Sequence, residues 1–151
     1  MRAVYLIGIG QTAVSKNSGV RGRYLVADAI EQAIYHAGIA PADIGMLVVG
    51  NMMSGILAQQ QQLGALCADV AGLRGIEAAT VEAACGSGAA AARWGYMAVA
   101  GGFHDIVLVE DLSPTLGEAL RTELELTLRQ PLQGRLAALE ELQATVDTMA
   151  V

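Results

Sequence analysis

Charge is scarce in this chain. Of its 151 residues only 16% are Asp, Glu, Lys or Arg, whereas 54% are hydrophobic. The net charge is −6 and no basic stripe runs along the sequence, which argues against a nucleic-acid partner. Lys16, Arg21 and Arg23 form the one basic cluster. It reads as a solvated loop, with a contact to a cofactor phosphate as the alternative. Cysteine is also rare, and two residues without a signal-peptide layout do not make a disulfide framework. Arg2 is followed at once by a strand pattern, so no charged leader precedes an apolar stretch. No uncharged apolar run reaches membrane-spanning length, because Arg93 and His104 interrupt the longest one. The expected compartment is a reducing cytoplasm, where both thiols stay free. Histidine is limited to His36 and His104, and no metal site is expected.

What is present is apolar and periodic. Residues 3–8 form an apolar run that reads as a buried strand. Residues 24–37 carry Leu25, Val26, Ala29, Ile30, Ala33 and Ile34 on one helical stripe, which Gly38 stops. A second short strand is expected at 46–49, a helix at 59–71 ended by Gly72, and a third strand at 78–82. A third helix follows at 86–100 and a fourth strand at 106–109. Strands separated by helices predict an α/β fold with a mostly parallel sheet. Apolar strands without alternation fit a sheet covered by helices on both faces. So much apolar surface in one small domain predicts an oligomer.

Cys85 is the most informative residue. It follows the strand-like Val81-Glu82-Ala83-Ala84 and precedes Gly86-Ser87-Gly88-Ala89-Ala90-Ala91-Ala92, a small-residue helix start. A helix N-terminus offers unpaired N–H groups and the positive end of its dipole, a setting that favours a thiolate. Gly86 and Gly88 allow a tight turn and leave room for an acyl group. The pattern is that of a nucleophile on a strand–turn–helix corner. A cysteine among alanines also fits a small buried hydrophobe. Cys67, in Leu63-Gly64-Ala65-Leu66-Cys67-Ala68-Asp69-Val70, has nothing glycine-rich beside it and is read as core.

Smaller signals point to structure. Gly8-x-Gly10-x-x-Ala13 imitates a dinucleotide fingerprint, but residues 14–19 read as loop where that fingerprint should open a helix. Gln59-Gln60-Gln61-Gln62 is expected on an exposed helix surface, Met52-Met53 in the core, with the lining of an acyl pocket as the alternative, and Ala89-Ala90-Ala91-Ala92 at a close helix contact. His36 sits where it can interact with a helix C-terminus. His104 is expected in a helix-to-strand turn at the end of the domain opposite Cys85.

The stretch from Glu82 to Ala92, with Gly95-Tyr96-Met97-Ala98-Val99-Ala100-Gly101-Gly102 and Asp105-Ile106-Val107-Leu108-Val109, resembles the active-cysteine region of thiolases. Val4-Tyr5-Leu6-Ile7-Gly8-Ile9-Gly10-Gln11-Thr12 resembles their first strand and loop. Residues 27–39, Asp43-Ile44 and Val48-Val49-Gly50 resemble their first helix and second strand. The overall flavour is nearest the sterol-carrier-protein type. The resemblance implies an N-terminal half-domain over residues 1–110, with Cys85 holding an acyl group as a thioester. It implies acyl-CoA as substrate and partner, with no permanently bound cofactor. The histidine-bearing motifs that complete the family's catalytic set have no counterpart in this sequence. A homo-oligomer, or a second chain supplying the missing half, is therefore expected.

The resemblance fades after Val109. Residues 111–151 form a leucine-rich tail. Leu116, Leu120, Leu124 and Leu128 recur every four residues; after Pro131, Leu132, Leu136, Leu139, Leu142, Val146 and Met149 recur at threes and fours. Two amphipathic helices are expected, packed on the domain or forming a partner-binding seam. Three functions follow: a thiolase-like acyltransferase on CoA thioesters, a ketoacyl synthase-like enzyme on carrier-protein thioesters, or a non-catalytic assembly module.

Overall fold

The computed structural model describes residues 1–13, 19–57 and 59–112, together with the backbone of 125–129. In chain order the elements are β1 (Tyr5–Gly10), α1 (Gly22–Ala37), β2 (Met46–Gly50), the short α2 (Ser54–Leu57), α3 (Leu63–Val70), β3 (Glu77–Val81), α4 (Ser87–Gly101), β4 (Ile106–Asp111) and β5 (Glu125–Arg129). The strands make one sheet in the order β1-β5-β4-β2-β3. β2 runs parallel to both β3 and β4. β5 is antiparallel to both β1 and β4. Four strands therefore point one way and β5 alone is reversed, so the expected mostly parallel α/β sheet is present.

Strand periodicity divides the core into two layers. Leu47, Val49, Ile106 and Leu108 face one side with Val26, Ile30 and Ala33 of α1 and Leu63 and Cys67 of α3. Met46, Val48, Val107 and Val109 face the other with Ala91 and Val99 of α4. Both faces of β2 and β4 are buried, which is why these strands read as unbroken apolar runs. Gly8 and Gly10 are small because α1 lies directly on β1. A Cβ on Gly8 would come within 2.5 Å of the Ala33 carbonyl oxygen, and one on Gly10 would collide with that of Ala29. The fingerprint-like spacing thus serves helix-on-strand packing.

Several expectations are corrected. The helix expected from residue 59 begins at Leu63, the first residue there with a side chain to bury. Gln59 and Gln62 are left-handed, at φ 49° and 55°, so the glutamine run connects α2 to α3 and is not helix surface. Met52 and Met53 are half-buried in the segment after β2 and lie outside both core clusters. Residues 125–129, expected inside a leucine-striped helix, form β5. A strand between β1 and β4 satisfies backbone groups on both sides, whereas a short helix is marginal on its own propensity. The rest of that expected helix, and all of the second at 132–149, lie outside the described residues. Among the described residues no helix is long and apolar enough to cross a membrane.

Candidate active site

Cys85 lies between β3 and α4, at the carboxyl ends of the parallel strands. Ligand sites in open α/β sheets gather at that end. The Cys85 thiol is exposed, whereas Cys67 is 1% exposed within the core of α3, as expected.

The backbone just before Cys85 turns sharply. Ala84 has φ 48°, a left-handed conformation that costs an L-residue with a Cβ about 1–2 kcal/mol. Local hydrogen bonds hold it. The Gly86 N–H donates to the Ala83 carbonyl at 3.0 Å, and the Ser87 N–H to the Ala84 carbonyl at 3.2 Å. The Ser87 hydroxyl then closes the turn from inside. It accepts from the Ala83 N–H at 3.0 Å and donates to the Ala84 carbonyl at 2.7 Å. Ser87 is completely buried. The corner that presents Cys85 is thereby fastened to the first turn of α4.

That turn is also pressed onto the sheet. A Cβ on Gly50, at the end of β2, would lie 2.5 Å from the Ser87 carbonyl oxygen. A Cβ on Gly88 would collide with the Asp111 carboxylate, which thus stands against the start of α4. Negative charge is favourable at that end of a helix. Asn51 ties the neighbouring strand ends together. Its N–H donates to the Val81 carbonyl at 3.0 Å, and its side-chain amide donates to the Leu112 carbonyl. Its Oδ1 accepts from the N–H groups of Met53 at 3.1 Å and Ser54 at 2.7 Å, starting α2. Gly50 accepts from the Leu112 N–H at 2.9 Å. The ends of β2, β3 and β4 are thus locked around the base of α4.

Neither histidine joins Cys85. His36, in the last turn of α1, accepts from the Ile9 N–H at 3.1 Å through Nδ1. His104 stands between α4 and β4 and pairs with Glu77 at 2.9 Å. The 15-residue α4 puts about 22 Å between that end and Cys85. Among the basic cluster, Arg21 and Arg23 flank the start of α1, and Lys16 lies outside the described residues. Among the described residues no group of three His, Cys, Asp or Glu side chains is placed to hold a metal ion.

Ser87, Asn51 and Asp111 carry the site's architecture and were not singled out in the sequence. Asn51, three positions before Ser54, did leave a helix-capping signal. A buried serine hydroxyl leaves none, since a serine at a helix start reads equally well as a solvated cap.

A family model for the thiolase N-terminal domain matches residues 4–115. The acetyl-CoA acetyltransferase of Methanothermobacter thermautotrophicus is 40% identical over 134 residues, covering 83% of this chain and 35% of its own length. That of Methanocaldococcus jannaschii is 41% identical over 109 residues, covering 72% and 28%. The chain thus spans about a third of the length of the curated relatives it matches. Two solved structures share the fold. The 3-oxoacyl-acyl-carrier-protein synthase III of Aquifex aeolicus superposes with a TM-score of 0.72 at 13% identity, over 85% of this chain and 54% of its own. The priming β-ketosynthase of the R1128 polyketide pathway gives 0.67 at 17% identity, over 86% and 51%. With three-quarters of its residues matched, among them the corner that carries Cys85, the chain belongs to the thiolase family.

Proposed function

We propose that Cys85 accepts an acyl group from a CoA thioester. The reading rests on one observation above all. An exposed thiol stands on a buttressed corner at the start of α4, in a chain of the thiolase family. The curated sequence relatives are acetyl-CoA acetyltransferases, which favours CoA over carrier-protein thioesters.

In the step proposed, the Cys85 sulfur attacks the thioester carbonyl carbon. The carbon–sulfur bond to CoA breaks, CoA leaves as its thiol with the proton from Cys85, and the acyl group stays on Sγ. The N–H groups of Gly86 and Ser87 are engaged inside the turn. The amide of Cys85 itself is then the donor proposed for the developing oxyanion. No resident cofactor is needed. Thiolysis or Claisen condensation asks for further acid/base groups, which we assign to a second chain supplying the missing half.

The test is intact-mass and peptide mapping after incubation with acetyl-CoA. One acetyl group on Cys85, absent from Cys85→Ala, is expected. Acetylation confined to Cys67, or none at either cysteine, would overturn the reading.

A further inference from the structure

β1 stands at the end of the sheet, paired with β5 on one side, and no strand lies beyond it among the described residues. An open edge of this kind invites a strand from another chain. β1 has little in its own sequence to discourage one. Tyr5-Leu6-Ile7-Gly8-Ile9-Gly10 holds no charge and no proline, and Leu6 and Ile9 are 48% and 39% exposed. The strand's own protection is one slip in register between Leu6 and Gly8.

Past that slip, α1 takes over the edge. The Ile9 N–H donates to His36 Nδ1 at 3.1 Å. The N–H of Gln11, one residue past the end of β1, donates to Gln32 Oε1 at 3.4 Å. Ile9 and Gln11 are alternate residues, whose N–H groups point to the same side of a strand. β5 occupies the other side, so both are edge donors. The two elements match in repeat length. Two residues of strand advance about 6.7 Å, and the step from Gln32 to His36 advances about 6 Å along a helix. Gly8 lets α1 come close, with Ala33 and Ala37 where its Cβ would stand. Gln32 and His36 precede those two alanines by one residue each, which turns them about 100° round the helix to the rim of the sheet.

We infer that Gln32 and His36 act as a surrogate strand that shuts the β1 edge against a second copy of this chain. A second copy is the occupant excluded because the edge is self-complementary. About a two-fold axis, one uncharged β1 would meet another antiparallel, with no repulsion between them. His36 thus has a task separate from any chemistry at Cys85.

Amide exchange followed by NMR on the full chain tests the contact residue by residue. Slow exchange at Ile9 and Gln11 is expected. His36→Ala should speed exchange at Ile9 by about tenfold, as loss of one hydrogen bond does, and leave Gln11 slow. Unchanged exchange at Ile9 in that variant would overturn the proposal. Sedimentation of the chain carrying both Gln32→Ala and His36→Ala should show an added step of self-association. Leu6→Lys, which puts a charge on the edge, should then abolish that step. Association equal to that of the unaltered chain, or an added step that survives Leu6→Lys, would overturn the proposal. Both positions are exposed and alanine is the best helix former, so the fold should hold. If circular dichroism shows that a variant has unfolded, the unaltered chain decides. Slow exchange at Ile9 and Gln11 supports the closed edge, and fast exchange at both overturns it.

Discussion

The Ser87 hydroxyl donates to the Ala84 carbonyl at 2.7 Å, and Ala84 is the left-handed residue immediately before the exposed thiol. Removing the hydroxyl strands two backbone groups in a buried turn, typically at about 1–3 kcal/mol. Ser87→Ala should lower stability by that amount in urea titration. It should also slow acetylation of Cys85 under conditions where the variant stays folded. An unchanged acetylation rate would show that the corner holds without its hydroxyl.

Ala84→Gly tests the strain itself. At an ordinary helix position Ala→Gly costs about 1 kcal/mol. At Ala84 the left-handed backbone favours glycine, so relief of strain should offset the added freedom of the unfolded chain. The expected result is a neutral or stabilising change. Ala91→Gly, at a fully buried position of α4, should destabilise. Equal losses at both positions would contradict the geometry of the turn.

Gly88 has no room for a side chain, because the Asp111 carboxylate occupies the place of its Cβ. Gly88→Ala should force α4 off the sheet end and cost about 1–3 kcal/mol, as overpacking does. Gly55, with nothing within 4 Å of its would-be Cβ, is the control and should tolerate alanine. A wild-type melting temperature for Gly88→Ala would mean that Asp111 swings away freely.

The two cysteines should separate cleanly by exposure. Iodoacetamide on the folded chain is expected to modify Cys85 first, since Cys67 is 1% exposed inside α3. Cys67 should label only as fast as the fold opens. Peptide mapping over time measures both, and preferential labelling of Cys67 would contradict the placement.

The 151-residue chain by itself should not turn over as a thiolase. Its two histidines are bonded to Ile9 and to Glu77, far from Cys85 in the case of His104. General acid–base catalysis contributes about 10²–10⁴-fold, and without it turnover should sit near background. The measurement is thiolysis of acetoacetyl-CoA by CoA with Cys85→Ala as control. Robust turnover that disappears in the control would reveal a base we have not assigned.

By itself, the sequence determined the parts whose physics is local. The stripe of Val26, Ala29, Ile30 and Ala33 marked α1 because helical periodicity gathers them on one face. The unbroken apolar runs of β2 and β4 marked buried parallel strands. Cys85 between a strand and a glycine-flanked helix start marked the corner, and the motif around it marked the family. Other features were set by contacts between distant residues. Residues 125–129 include Leu128 of the fourfold leucine series, yet they form β5: Leu126 and Leu128 alternate at strand spacing, and β1 and β4 offer backbone partners on both sides. Gly8 and Gly10 imitate a nucleotide fingerprint, but only the approach of α1 shows that they make room for its carbonyls. Ser87 could have been a solvated cap; it became the hidden fastening of the corner because Gly50 lets the start of α4 press onto β2 and shuts water out. Spacing along a chain records which face a residue belongs to, whereas the partner waiting on that face is decided only when the elements meet.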